Sequence, residues 1–346
     1  MIKEVFSHKY YQWLLSGVAL LLSLGFLKLA KSIMIPFVVS LFLSFLLIPG
    51  VRFLRKYKIP HAISTILSLV VSYALIVGFG YLIFISLESV QSGLPAYVTR
   101  FKSLLFEFLA WVSTKGVKID AAEMLKNFDF STLYSLAGYG VNVLVTLMQY
   151  GLLIFFLTLF ILLEYEFVGE KLSRAMGHME EVYSSATSIA RQVQWYLFVK
   201  TIISAATGFI VWFFLSLTGT DFPIVWGLLT FLLNFIPSVG SIVASVPPVF
   251  VALLQGGESP IQQAIIVAIG LLIIQTIIGS YLDPKFMGQS LNISPLVVFG
   301  SMVFWGWMWG PVGMLLAVPI AVTLKIILYQ IPATKPIAIM LSGPQN

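Results

Sequence analysis

Ile236-Pro237-Ser238-Val239-Gly240-Ser241, with Pro247-Pro248 soon after, interrupts an apolar stretch spanning residues 222–249. A second interruption, Gly310-Pro311-Val312-Gly313 with Pro319 behind it, lies inside residues 295–323. Each stretch is about thirty residues, longer than the ~20 that a helix needs to cross a bilayer. Their glycines keep one offset: Gly240 and Gly313 are 73 positions apart, as are Gly227 and Gly300 (313 − 240 and 300 − 227). A pair of Gly/Pro-interrupted apolar segments is the sequence mark of a secondary transporter's binding site. Backbone cannot be left unsatisfied in lipid, so such a break belongs inside protein or beside a water-filled cavity. Two readings of each break are open: a re-entrant hairpin, which enters and leaves on one side, or a single kinked and tilted span. The hairpin is the favoured expectation. It would make the flanking spans antiparallel and the C-terminal half an inverted repeat.

The composition demands a membrane. Of 346 residues, 59% are hydrophobic and only 10% charged, with a mean hydropathy of +0.98; soluble domains carry about 25% charged residues. The net charge of +6 is read as orientation through the positive-inside bias, not as nucleic-acid binding. There is no cysteine, which removes disulfides and thiolate metal sites. The apolar run 13–27 leads directly to Lys28 and Lys31 without a small-residue cleavage site, so it is expected to be an uncleaved first span.

Working outward from the breaks gives an all-α integral membrane protein of about eight membrane segments. Residues 1–87 form three scaffold spans, with Arg52, Arg55, Lys56 and Lys58 in one loop free of acids. That loop and both termini are expected in the cytoplasm. Residues 88–140 carry five acids and five bases, and apolar positions from Tyr97 to Leu109 recur at helical spacing. They are expected to form an extracytoplasmic helical insert, either packed or lying on the membrane. Residues 141–194 hold a fourth span and a polar linker. Residues 195–328 are the transport unit, flanked outside by Asp221 and Glu258 and inside by Lys285 and Lys325, and 329–346 are a cytoplasmic tail.

The first break, from Asn234 to Ile242, resembles the signature of the autoinducer-2 exporter (AI-2E or PerM-like) family. Asp283-Pro284-Lys285-Phe286-Met287-Gly288-Gln289-Ser290-Leu291-Asn292-Ile293-Ser294-Pro295-Leu296 and Gly313-Met314-Leu315-Leu316-Ala317-Val318-Pro319 are similar to its later motifs. The C-terminal half carries this resemblance closely; in the N-terminal half only the order of elements agrees. The resemblance implies a transporter of the bacterial inner membrane that forms homo-oligomers, with a pentamer among the expected assemblies. It also implies two kinds of cargo, a furanone-type signalling molecule or Na⁺(Li⁺) exchanged for protons.

The residues themselves favour a small, neutral, hydroxyl-rich solute. Asn234, Pro237, Ser238, Gly240 and Ser241 in the first break, and Gly310, Pro311 and Gly313 in the second, are the candidate substrate-binding residues. Opened backbone, Asn and Ser side chains offer hydrogen bonds without counter-charge. Serines at such positions also serve close helix packing, the commoner role. Ionisable residues within spans are functional candidates by default. Asp283, Lys285 and Lys200 are therefore candidates for ion coupling, against the plainer readings that Asp283 pairs with Lys285 at a helix end and Lys200 reaches back to the interface. Trp305, Trp307 and Trp309 suit an interfacial aromatic belt or a surface on which a ring-shaped solute stacks. The three histidines, His8, His61 and His178, form no metal spacing, and no phosphate-binding loop is present. No enzyme activity and no cofactor is expected. The expected partners are the lipid bilayer, a small polar solute or monovalent cation, and further copies of the chain. An oligomeric scaffold or passive pore is the non-transport alternative, which paired breaks do not require.

Overall fold

The computed structural model describes residues 2–115, 149–165, 167, 180–236, 239–257, 259–287 and 293–343. Pro237, Ser238, Glu258, residues 116–140 of the insert, 141–148 of the fourth span, and 166 and 168–179 of the polar linker lie outside the described residues. The described chain is all-α, apart from one isolated bridge between Ile293 and Ser342. Five of its helices are long and apolar enough to cross a membrane, and four shorter apolar helices accompany them.

Helices α1 (Ile2–Leu29) and α2 (Lys31–Arg55) are separated by Ala30 alone. Its amide donates to the Phe26 carbonyl and its carbonyl accepts from Met34, so the two join at a kink, not through a loop. Helix α3 (His61–Thr114) is 54 residues long, about 80 Å at 1.5 Å per residue. The change in sequence character at Glu88 therefore marks no helix end: the start of the insert prolongs the third span. Helix α4 (Gln149–Tyr165) closes a small bundle in which Leu47, Ile48, Leu69 and Leu162 are buried together. At the basic loop the Arg52 guanidinium donates to the Tyr165 hydroxyl, and a His61 ring nitrogen lies 3.2 Å from the Leu162 carbonyl.

The C-terminal half begins with α5 (Glu180–Leu217). The first break then separates α6 (Pro223–Leu233) from α7 (Val239–Leu254). Their far ends meet. The Asp221 amide donates to Gln255 Oε1 at 2.9 Å, while Gln255 Nε2 donates to the Gly219 carbonyl at 3.0 Å. Trp226 and Ala252 share one buried cluster. The stretch is thus an antiparallel hairpin. Its arms of 11 and 16 residues reach about 16 and 24 Å, each short of the ~30 Å hydrocarbon core.

Helix α8 (Pro260–Thr276) widens into a π-turn over Ile277–Leu282 and runs into α9 (Asp283–Met287). It lies antiparallel to α5: Gln263 donates to the Thr218 carbonyl, Gly270 receives the Phe214 ring, and Asp283 meets Lys200. Helix α10 (Pro295–Gln330) is continuous except at Gly310, whose φ of 68° and ψ of −149° belong to glycine alone. There the chain folds back. Gly306 faces the Met314 side chain, and a Cβ on Gly313 would fall on the Trp305 carbonyl oxygen. In a straight helix residues eight apart are about 12 Å apart. A final short helix, α11 (Lys335–Met340), returns to the start of α10 through Ser294 and Leu341.

The two breaks are related in detail. A Cβ on Gly240 would likewise strike the carbonyl of Leu233, seven residues earlier. Gly240 and Gly313 therefore do one job at two hairpin tips, as their common offset suggests. Gly227 and Gly300 do not. Gly227 lies backbone to backbone against Gly208 of α5, whereas a methyl group added at Gly300 would meet nothing within 4 Å.

Candidate functional site

Helix α6 ends at Asn234, whose amide nitrogen still bonds back to Thr230. Its side chain is buried and its Nδ2 donates to Ser204 Oγ of α5 at 3.0 Å. From this corner a cleft of about 580 Å³ runs between α7 and the widened end of α8. One wall carries Ser241 and Ser245, one turn apart. The other carries Gln275, Thr276 and Ser280, with Asp283 at the end. The rims are apolar and exposed, among them Ile242, Phe250 and Leu272. Polar side chains set in helices of membrane-spanning composition mark a wet path or a polar ligand. The π-turn adds a residue to the helical repeat just where Gly279 and Ser280 line the cleft, and such turns are frequent at functional sites.

The charged end of the cleft is built from both halves of the repeat. Lys200 of α5 is 3% exposed, and its Nζ lies 2.8 Å from Asp283 Oδ2. The other carboxylate oxygen, Oδ1, is buried without a hydrogen-bond partner among the described residues. The sequence had allowed Asp283 to pair with Lys285. That pairing does not form: Lys285 lies 5.3 Å from the centre of the Tyr281 ring and its side chain is exposed. Lys200 does not reach back to an interface either; it is held inside.

Of the candidate residues, the cleft brings together Asn234, Ser241 and Asp283, with Lys200 behind Asp283. Gly240 shapes the first tip. Gly310, Pro311 and Gly313 shape the second tip and do not line the cleft. The link between tips is Ile236, buried with Met302 and Ala317 of the second hairpin. Ser245 spends its hydroxyl hydrogen on the Ser241 carbonyl at 2.8 Å, which fits helix packing better than ligand binding. The tryptophans also sort out. Trp309 is buried and donates to the Leu27 carbonyl at 3.3 Å, while exposed Trp307 carries the Lys28 ammonium 3.7 Å above its ring. Neither lines the cleft. Ser204, Gln275, Thr276 and Ser280 were missed in the sequence. The last three had a signal, polar residues at one-turn spacing within an apolar span; Ser204 had none.

The model of the AI-2E family of transporters matches residues 17–333 of this chain. The chain belongs to the AI-2E transporter family. The AI-2 transport protein TqsA of Escherichia coli (strain K12) is 32% identical over 336 residues, covering 95% of this chain and 96% of that protein. A putative transport protein of Haemophilus influenzae is 32% identical over 351 residues, covering 97% of each. The putative transport protein YrrI of Bacillus subtilis is 24% identical over 316 residues, 86% of each. Similarity along the full length extends the family assignment to the N-terminal half, whose residues had looked generic. With its apolar helices, this AI-2E member is a multi-pass membrane transporter.

Proposed function

We propose that the chain exports a small, neutral, hydroxyl-rich solute across the bacterial inner membrane through the cleft between α7 and α8. The observation that carries this is the polar wall of Asn234, Ser241, Gln275, Thr276 and Ser280, in which the charge at the end, Asp283, is already compensated by Lys200. Such a wall offers hydrogen bonds to hydroxyls and no net charge to an ion. A signal of the autoinducer-2 kind, named for the E. coli relative, fits that chemistry. The hairpins are re-entrant in this reading, both termini are cytoplasmic, and the repeat unit moves against α1–α4 in a homo-oligomer to give alternating access. The candidate residues at the second tip, Gly310, Pro311 and Gly313, close the path from the other repeat.

Na⁺(Li⁺)/H⁺ exchange is the second reading, favoured by an ionisable pair within membrane-spanning helices. Flux into proteoliposomes holding the purified chain separates the two. Labelled ribose, a neutral hydroxyl-rich sugar, should equilibrate faster than in empty vesicles, with no demand for a Na⁺ or proton gradient. Gradient-driven Na⁺ exchange without ribose flux would favour the antiporter instead. A passive pore would pass both.

A further inference from the structure

We infer that Lys200 sets the charge selectivity of the cleft, by cancelling Asp283 so that neutral solutes pass and ions do not. The inference rests on the reading of the cleft as the solute path. A buried ion pair contributes little net stability, and apolar residues of similar volume often replace one without loss. Its presence in this position therefore asks for another reason. Asp283 faces the cleft from the end of the π-turn, with Oδ2 held 2.8 Å from Lys200 Nζ and Oδ1 bonded to nothing among the described residues. Lys200 does not line the cleft; it approaches from behind, on a neighbouring helix. The Asp283 side chain keeps 19% exposure against 4% for Lys200, so the carboxylate residue borders the path and the ammonium compensates it from behind. Without Lys200, Asp283 becomes an uncompensated anion at the end of a cleft that Ser280 and Thr276 also line, and their hydroxyls are hard oxygen donors suited to Na⁺. Without Asp283, the same position presents an uncompensated ammonium, which attracts anions.

The test uses three variants in proteoliposomes, with labelled Na⁺, Cl⁻ and ribose as probes. Lys200→Met should gain Na⁺ influx that the unaltered protein lacks. Asp283→Asn should gain Cl⁻ influx instead. The double variant Lys200→Met with Asp283→Asn carries no charge at the site and should exclude both ions again. That rescue is what mere structural damage cannot produce. Equal leakage of both ions through either single variant, or leakage that persists in the double variant, overturns the inference. So does Na⁺/H⁺ exchange by the unaltered protein that Lys200→Met abolishes. Ser245→Trp, which fills the cleft, supplies the separate check: ribose flux that survives it removes the cleft as the path, whatever the ions do.

Discussion

Gly240, Gly313 and Gly300 make a direct comparison of identical substitutions in different surroundings. At the first two a side chain must displace a backbone carbonyl, of Leu233 and Trp305 respectively, while Gly300 has open space. Replacing Gly240 or Gly313 by Leu should abolish solute flux and destabilise the fold by ~1–3 kcal/mol or more, the usual cost of overpacking. Gly300→Leu should leave flux and melting temperature near those of the unaltered protein, although the repeat makes it as regular a position as the others. Flux and thermal melts on the three purified variants would decide; a silent Gly313→Leu would remove the second tip from the mechanism. Gly310 differs again, since its constraint is conformational. Gly310→Ala meets no atom within 4 Å, yet forces an alanine into a region open only to glycine, at a cost of about 1–3 kcal/mol. A lowered melting temperature in detergent is expected; an unchanged one would mean that the tip relaxes freely.

At the scale of the element, the hairpin is the unit that distinguishes this architecture from a bundle of kinked spans. Asp221 and Gln255 are 34 positions apart and would be separated by about 50 Å along one straight helix. Their hydrogen bond brings them together. Because the chain has no cysteine, a double variant Asp221→Cys with Gln255→Cys can be cross-linked without background. A short bis-maleimide should join the two sites within one chain at high yield, while Cys at 221 paired with Cys at 240 should not react. Failure of the 221–255 pair to join would restore the single kinked span. The same mouth is tied to the scaffold, since the Tyr97 hydroxyl of α3 donates to Asp221 Oδ2 at 2.6 Å and its ring packs edge-on against Phe222. Tyr97→Phe should therefore change the rate of solute exchange more than the solute affinity, because it alters how the first hairpin is anchored and not the cleft. An affinity change with an unaltered maximal rate would contradict this.

For the whole molecule the question is orientation. Asp221, Gln255 and Tyr97 lie together at one end of the hairpin unit, so whichever side holds the insert also holds the mouth of the first hairpin. By the positive-inside bias the basic loop 52–58 is expected in the cytoplasm. Single cysteines at 55 and 285 should react with impermeant maleimide only from the cytoplasmic side, and those at 102 and 258 only from outside. Labelling of 285 from outside would reverse the C-terminal repeat. The cleft also has a molecular consequence. Thr276 and Ser280 are exposed in a single copy, although the helix bearing them is apolar enough to span a membrane. Exposed polar groups at that depth require cover or water.

Much of the architecture is legible in the chain itself. Composition alone required the bilayer, the Gly/Pro breaks located both hairpins, and the 73-residue offset identified Gly240 and Gly313 as equivalents. These are local or periodic properties, since backbone rigidity at proline and freedom at glycine are written in the residue itself. The same offset misled at Gly227 and Gly300, because equivalent positions in two repeats meet different neighbours. The change in polarity at Glu88 falls inside helix α3, which runs on through it to Thr114. The charged site was beyond reach for a different reason. Lys200 and Asp283 are 83 residues apart, and nearby Lys285 looked the better partner by proximity in the chain. Which cation neutralises Asp283 depends on the antiparallel packing of α5 against α8. Residue order and composition were enough for a membrane-embedded helical transporter with paired breaks; that the polar faces of α7 and α8 meet as a cleft, with Lys200 behind its carboxylate, followed from the packed fold alone, because both facts are made by contacts between distant helices and not by any one of them.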